Sequence, residues 1–140
     1  MTAKHTTGAL EGARVLVVDD DVDVLRLIQI LLQNAKAIVE TAPSMTAALE
    51  LLESFTPDVI VSDIEMPGHD GYELITSVRE RSAERGGKLP AIALSAHVSE
   101  QDRLKAIAAG FNVHVKKPMR ASHLIEAIRR VLEHEPPPTA

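Results

Sequence analysis

The sequence predicts a single α/β domain with a doubly wound parallel sheet, in which five strands alternate with five helices. Short apolar runs and segments of helical period alternate five times along the chain, which is the pattern of repeated βαβ units. The apolar runs are continuous rather than alternating, as expected for strands that helices cover on both faces. A length of 140 residues fits one domain and leaves little room for a second.

Each predicted strand is a β-branched or aliphatic run that is too short to be a helix. The five runs are Val15–Val18, Ala37–Glu40, Val59–Val61, Ala91–Leu94 and Val113–Val115. Ligands of open parallel sheets bind beyond the carboxyl ends of the strands. The residues that directly follow these runs are therefore where functional chemistry is expected.

The helices are predicted from an apolar period of 3.6 residues and from capping residues at their first turns. The predicted N-caps of the second, third and fourth helices are Ser44, Asp70 and Ser99, with Asp102 completing a capping box in the fourth. The predicted buried faces include Leu25, Ile28 and Leu32 in the first helix and Leu124 and Ile128 in the fifth.

The two ends of the chain are expected to lie outside the folded unit. Residues 1–12 are polar and small, which predicts a mobile lead-in. Residues 135–140 form a proline-rich tail that cannot continue a helix. The folded domain is therefore expected to span residues 13–134.

Composition argues against several classes of protein. The chain has no cysteine, which removes disulfides, thiolate metal sites and thiol catalysis. Its formal net charge is −5, whereas a protein that binds the nucleic-acid backbone directly normally has a basic face. No apolar run is long enough to span a bilayer, and the N-terminus lacks the apolar core of a signal peptide. A cytoplasmic protein without direct nucleic-acid contact or membrane insertion is expected.

Four of the predicted strands are followed by polar side chains suited to chemistry. These side chains are Asp19, Asp20 and Asp21 after the first strand, Asp63 after the third, Ser95 after the fourth, and Lys116 and Lys117 after the fifth. Each alone is more often a turn or capping residue, but their occurrence at one edge of one sheet predicts a shared pocket. Crowded carboxylates repel each other unless a cation neutralises them, and an all-oxygen cluster suits Mg²⁺, with Mn²⁺ as an alternative ion.

This set of groups predicts phosphoryl transfer to a carboxylate. A carboxylate can attack phosphorus and form an acyl phosphate. The transfer needs mainly positioning and charge neutralisation, which Mg²⁺ and a lysine would supply. The hydroxyl of Ser95 would then hydrogen-bond a phosphoryl oxygen, and Pro118 would fix the turn that holds Lys117.

The motifs VLVVDD, VIVSDIEMPGHDGYEL, ALSA and VKKP together resemble those of response-regulator receiver domains, and the resemblance extends over residues 14–132. It implies a five-stranded parallel sheet in the flavodoxin-like order. It also implies that Asp63 is the phosphoacceptor and that Asp20 and Asp63 ligate Mg²⁺ together with the backbone carbonyl of Glu65. Asp19 would act largely through a metal-bound water.

The same resemblance implies roles for Ser95 as the switch hydroxyl and for Lys117 as the contact of the phosphoryl group. The phosphoryl donor would be a sensor histidine kinase or a histidine phosphotransfer protein. An unidentified downstream protein would bind the face built by the fourth helix, the fifth strand and the fifth helix, and a homodimer is left open. The chain would then be a single-domain response regulator, a phosphoacceptor rather than an enzyme.

Three positions in or near the implied site vary or depart from the family pattern. His114 stands where the family usually has the Tyr or Phe that turns inward on activation. A buried imidazole would need a hydrogen-bond partner, so His114 is expected to face outward and to contact a partner protein. Glu65 and His97 lie at positions that vary in the family, and they are expected to tune the loss of the phosphoryl group.

The sequence also leaves open three alternatives to a single-domain response regulator. VLVVDDDVD also fits the opening of haloacid-dehalogenase-like phosphatases, with Asp19 as the nucleophile and Asp21 as the acid or base. Those enzymes also need an acidic motif after the lysine, and none follows Lys117 before residues 133–135. A pure interaction module of receiver fold would not need the full set of site residues. A receiver fragment of a hybrid kinase is also left open.

Overall fold

A computed structural model describes residues 8–66, 70–96, 99–117 and 120–133 of the chain. The strands are β1 (Arg14–Val18), β2 (Ile38–Ala42), β3 (Val59–Asp63), β4 (Ala91–Ser95) and β5 (Val113–Lys116). The helices are α1 (Val22–Asn34), α2 (Met45–Ser54), α3 (Gly71–Arg79), α4 (Glu100–Ala109) and α5 (Ala121–Glu133), and a short 3₁₀ turn (Ala83–Arg85) precedes β4.

The five strands form one parallel sheet in the order β2-β1-β3-β4-β5. This is the flavodoxin-like order, so the predicted fold class is confirmed. The chain changes direction across the sheet between β1 and β3, which makes the carboxyl ends of these two strands the switch point where ligands bind in such folds. Val18 pairs with Ser62 in the register, so Asp19 and Asp63 lie side by side at that edge.

Two hydrophobic layers cover the two faces of the sheet. Val15 and Val17 of β1 pack into the layer formed with α1 and α5. Leu16 and Val18 pack into the opposite layer, formed with α2, α3 and α4. Successive side chains of a strand point to opposite faces, and here both faces are covered, which explains why the predicted strands are continuously apolar.

The predicted helix caps are present. The side chains of Ser44 and Asp70 each accept a hydrogen bond from a backbone N–H in the first turn of α2 and α3. Ser99 and Asp102 form the reciprocal capping box of α4. Each cap satisfies an N–H group that the helix leaves unpaired at its start. Within the part of the chain that the structure describes, no helix is long and apolar enough to cross a membrane.

The segment before β1 differs from the prediction of a mobile lead-in. Leu10 is buried in the layer of α1 and α5, and its N–H donates to the carbonyl of Ala35 at 3.0 Å. The N–H of Gly12 donates to the carbonyl of Lys36 at 3.1 Å. The prediction is therefore wrong for residues 8–12, because one leucine within a polar segment is enough to anchor it to the core. Residues 1–7 and the predicted tail at residues 135–140 lie outside the described residues.

The second strand is shifted toward the C-terminus of the predicted run. It spans Ile38–Ala42 instead of Ala37–Glu40 and pairs with β1 along its whole length. The prediction missed Thr41 and Ala42, because polar Thr41 interrupts the apolar run, although a β-branched residue is well accommodated within a strand. A search for continuous apolar runs therefore ends this strand too early.

Candidate functional site

Three carboxylates meet at the carboxyl ends of β1 and β3. Asp19 and Asp63 are buried, whereas Asp20 is exposed. One oxygen atom from each of the three side chains lies within 4.8 Å of the others. An all-oxygen set of this kind, open to water on the side of Asp20, could hold a hard divalent cation. The structure thus brings together the three side chains that the sequence analysis assigned to a metal site.

Lys117 follows β5 and supplies a positive charge to this cluster. Its Nζ lies 3.0 Å from Oδ2 of Asp19 and 3.3 Å from Oδ1 of Asp63. Its backbone N–H donates to the carbonyl of Ser95 at 2.8 Å, which ties the residue to the end of β4. Burial opposes the charged form of the ammonium, but the hydrogen bond to Asp19 and the charges of both carboxylates outweigh it, so the pKa of Lys117 is raised.

The surroundings of Asp63, at the end of β3, raise the pKa of its carboxyl group. Burial, and then the negative charge of Asp19, raise the pKa of Asp63 to about 6, although Lys117 and the N–H of Glu65 favour the charged form. A cation bound among the carboxylates would lower this pKa by favouring the charged form. The carboxylate would then be ionised and positioned at neutral pH, as a nucleophile must be.

The three consecutive aspartates after β1 have different environments. Asp19 is held at both oxygens, because Oδ1 accepts from the N–H of Asp21 at 2.9 Å and Oδ2 accepts from Lys117. Asp21 turns to α1 and accepts from the backbone N–H groups of Asp23 and Val24, so it is the N-cap of that helix. The alternative that used Asp21 as an acid or base therefore lacks support, since its carboxylate is engaged in capping.

Ser95 and Glu65 are joined by a hydrogen bond that the sequence analysis missed. The Oγ of Ser95 donates to Oε2 of Glu65 at 2.9 Å. Ser95 is buried at the end of β4, and Glu65 is exposed in the segment after β3. The two residues lie 30 positions apart, so sequence spacing carried no signal for this contact. The ligation of a metal by the backbone carbonyl of Glu65 stays a prediction.

His114 differs from the prediction that its side chain faces outward. Val113 and Val115 pack toward the layer of α1 and α5, and the alternation of side chains turns His114 to the face covered by α4. Both ring nitrogens are buried and have no hydrogen-bond partner among the described residues. Burial lowers the pKa of the imidazole, against the opposing effect of the charges on Asp102 and Glu65. The outward orientation is therefore wrong for this conformation.

Gly71 is a further residue of the site that the sequence analysis did not single out. It begins α3, and its N–H donates to the carbonyl of Ile64 at 2.8 Å. A Cβ at this position would lie 2.5 Å from the carbonyl oxygen of Asp63 and 2.8 Å from the Cα of Ile64. Glycine is thus required for α3 to begin directly against the end of β3. The Asp70-Gly71 pair that follows β3 was the available signal in the sequence.

Three short segments of the site region, residues 67–69, 97–98 and 118–119, lie outside the described residues. The prediction that His97 tunes the loss of the phosphoryl group falls there, as does the turn at Pro118.

Comparison with known proteins decides the family. The family model for the response regulator receiver domain matches residues 15–129. This chain belongs to that family. The chemotaxis protein CheY4 of Vibrio cholerae has a similar structure, with a TM-score of 0.81 at 30% identity, covering 86% of this chain and 99% of that one. A putative response regulator from Chloroflexus aurantiacus has a TM-score of 0.82 at 28% identity, covering 89% and 100%.

Sequence relatives include one protein of similar length and several longer ones. A protein of Leptolyngbya boryana described as an uncharacterized 14.6 kDa protein is 44% identical over 123 residues, which cover 88% of this chain and 92% of that protein. The two-component response regulator ARR10 of Arabidopsis thaliana is 36% identical over 125 residues, and the probable histidine kinase 2 of Oryza sativa subsp. indica is 34% identical over 136. This receiver domain spans only 21% and 13% of the lengths of these two proteins.

Proposed function

We propose that this receiver domain accepts a phosphoryl group on Asp63 from a phosphohistidine, in a reaction that depends on Mg²⁺. The observation that carries the proposal is the position of Asp63, a buried carboxylate beside Asp19 and Asp20 with the ammonium of Lys117 at 3.3 Å. Such a site combines a nucleophile, ligands for a cation and a fixed positive charge. The domain is a phosphoacceptor and not an enzyme that turns over a separate substrate.

Each residue of the site has a separate role in the proposed phosphoryl transfer. Asp20, Asp63 and the carbonyl of Glu65 would hold the ion directly, Asp19 would hold it largely through a water, and Mg²⁺, or Mn²⁺ in its place, supplies neutralisation of negative charge. An oxygen of Asp63 attacks phosphorus, the P–N bond to the donor imidazole breaks, and its electron pair stays on the imidazole. Lys117 then neutralises charge on the phosphoryl oxygens.

The signalling step of the proposal is a change in partner binding. The donor is a sensor histidine kinase or a histidine phosphotransfer protein, in line with the kinase and regulator names among the relatives. The phosphoryl group adds charge and acceptor oxygens beside Ser95 and Lys117, which favours a different arrangement of these two side chains. An unidentified downstream protein then binds the face of α4, β5 and α5.

Mapping the phosphoryl group tests the proposal. The protein is incubated with acetyl phosphate or with a phosphohistidine donor, with and without Mg²⁺, and the acyl phosphate is trapped and located by mass spectrometry. We expect labelling of Asp63 only when Mg²⁺ is present, and none in Asp63→Asn. Asp21→Asn is the matched control, because asparagine also caps a helix, and it should label like the wild type. Label on Asp19, or full labelling of Asp63→Asn, would refute the assignment.

A further inference from the structure

The hydrogen bond between Ser95 and Glu65 links the end of β4 to the segment that follows β3. We infer that Glu65 is a positioning residue that holds the Ser95 hydroxyl in the unphosphorylated state, so that a phosphoryl group on Asp63 must compete with Glu65 for the hydroxyl proton. The inference rests on the proposed phosphorylation of Asp63 and adds a residue that sets how readily the phosphorylated state forms.

The geometry of Glu65 suits this role, because the residue contacts the site at two points. Its backbone N–H donates to Oδ1 of Asp63 at 3.3 Å, and its side chain accepts from the Oγ of Ser95 at 2.9 Å. Ser95 is in turn held by β4, and its carbonyl accepts from the N–H of Lys117. The hydroxyl is thus the part of Ser95 that can turn between acceptors while the backbone stays in place.

The competition follows from the number of protons on a hydroxyl. A serine has one O–H donor, so a bond from Ser95 to a phosphoryl oxygen replaces its bond to Glu65. The existing bond is to a carboxylate, a stronger acceptor than a neutral oxygen. Ser95 is only 2% exposed, whereas Glu65 is exposed, so the carboxylate can turn to water once the hydroxyl leaves. Two alternative acceptors for one buried donor constitute a two-state element.

Glu65 also exerts a second effect that the test must separate from the first. Its negative charge repels the phosphoryl group whether or not Ser95 is bonded to it. Removal of the carboxylate would favour the phosphorylated state through both effects. Only the effect of the hydrogen bond disappears when the hydroxyl is absent, so a double-mutant cycle with Ser95→Ala distinguishes them.

The probe is beryllofluoride with Mg²⁺, which mimics the phosphoryl group. Calorimetry measures its affinity for the wild type and for four variants: Glu65→Ala, Glu65→Gln, Ser95→Ala and the double variant Glu65→Ala/Ser95→Ala. We expect Glu65→Ala to bind the probe about five- to tenfold more tightly than the wild type, the effect of one charge-assisted hydrogen bond with an exposed partner. Glu65→Gln, which keeps an oxygen acceptor, should stay within about threefold of the wild type. In the Ser95→Ala background, Glu65→Ala should change the affinity by less than about twofold.

The inference would be overturned in favour of charge repulsion if Glu65→Ala raised the affinity for beryllofluoride equally in the wild type and in Ser95→Ala. It would also be overturned if Glu65→Ala and Glu65→Gln raised that affinity equally. A second readout needs no probe in the sample: in free Glu65→Ala, the Ser95 amide resonance should move toward its position in the wild-type beryllofluoride complex. An unmoved resonance would also overturn the inference. If the wild type neither binds beryllofluoride with Mg²⁺ nor becomes labelled on Asp63, the proposed function itself fails. If the wild type binds the probe but Glu65→Ala and Ser95→Ala act independently, only the present inference fails.

Discussion

The ammonium of Lys117 lies 3.0 Å from the carboxylate of Asp19, a residue 98 positions earlier in the chain. It also lies 3.3 Å from the carboxylate of Asp63, so a single positive charge contacts two buried carboxylates. The site therefore carries an excess of negative charge in the absence of a cation. Changes of charge at this site should affect folding stability, metal affinity and phosphorylation together.

Replacement of Asp63 by asparagine should stabilise the metal-free protein. Because the pKa of Asp63 is raised from 3.8 to about 6, the folded state holds a proton in this range that the unfolded state has lost. The stability contributed by Asp63 therefore falls as pH rises from about 4 to about 6. We expect Asp63→Asn to raise the free energy of unfolding by roughly 1–3 kcal/mol near pH 7, and by less toward pH 4.

Urea denaturation in the presence of a chelator measures this effect. Glu50→Gln is the control, since it also removes one negative charge but lies exposed on α2, and it should change the stability by less than about 0.5 kcal/mol. A loss of stability in Asp63→Asn near pH 7 would contradict the unfavourable burial of the charged carboxylate.

Metal affinity should depend on Asp20 far more than on Asp21. Asp20 belongs to the acidic cluster, whereas the carboxylate of Asp21 caps α1. We expect Asp20→Asn to weaken Mg²⁺ binding by about tenfold or more, because a carboxylate ligand of a hard cation is lost. Asp21→Asn should stay within about threefold of the wild type, since asparagine preserves the cap. Equal losses in a Mg²⁺ titration would indicate diffuse binding to the whole acidic run.

Replacement of Lys117 by methionine should destabilise the metal-free protein and make it depend on a cation. The substitution leaves Asp19 and Asp63 buried without their shared ammonium, a change that costs roughly 3–5 kcal/mol for buried pairs. Mg²⁺ should restore much of this loss and should bind more tightly than to the wild type, because a positive charge has left the site. Thermal unfolding with and without Mg²⁺ measures both effects.

The neighbouring Lys116 offers a matched control for this experiment. It is exposed at the end of β5, so Lys116→Met should change neither stability nor the response to Mg²⁺ appreciably. A similar loss in both variants would mean that the general loss of a positive charge, and not the contact with Asp19, is responsible.

Replacement of His114 by phenylalanine should stabilise the unphosphorylated protein by about 1 kcal/mol, because two buried ring nitrogens without partners among the described residues are replaced by carbon. The lowered pKa means that the folded state resists protonation, so the stability contributed by His114 is lost as pH falls through 6.5, the ordinary value. This pH dependence is opposite in sign to that of Asp63.

Urea denaturation near pH 5 and near pH 7.5 should thus show a larger gain for His114→Phe at the lower pH. His123→Gln, at an exposed position of α5, serves as the control and should show no such difference. A stability of His114→Phe that equals the wild type at both pH values would mean that the imidazole finds a partner in the folded protein.

Formation of the phosphorylated state should alter the packing of α4, β5 and α5 more than that of the rest of the domain. α4 buries Ala106 alone among its residues, and β5 is an edge strand whose residues are all at least partly exposed. Elements with so few buried contacts rearrange at low cost. Leu104 and Ile107 are 52% and 41% exposed on α4 and would contact a downstream protein.

Amide hydrogen exchange with and without beryllofluoride and Mg²⁺ tests this face. We expect changes in protection in α4 and β5, and little change in α2 and β2 at the other edge of the sheet. Changes confined to α1 and α2 would place the output surface on a different side of the molecule.

Several features of the molecule were determined by local sequence. The continuous apolar runs predicted the covered strands, and the capping residues predicted the starts of three helices, because both depend on neighbours within a few positions. The strand-end rule then placed Asp19, Asp20, Asp63 and Lys117 at one edge of the sheet. The carboxyl ends of all strands of a parallel sheet lie at the same edge, so the placement of these residues at one edge followed from the fold class alone.

Tertiary structure decided which atoms meet. The contact of Lys117 with Asp19 depends on the strand order, and the bond between Ser95 and Glu65 depends on the path of the chain after β3. The inward orientation of His114 depends on register, since a shift by one residue turns a side chain to the opposite face. The need for glycine at position 71 arises from the close approach of α3 to β3. Sequence spacing cannot supply these distances, because they are set by how separate elements pack against one another.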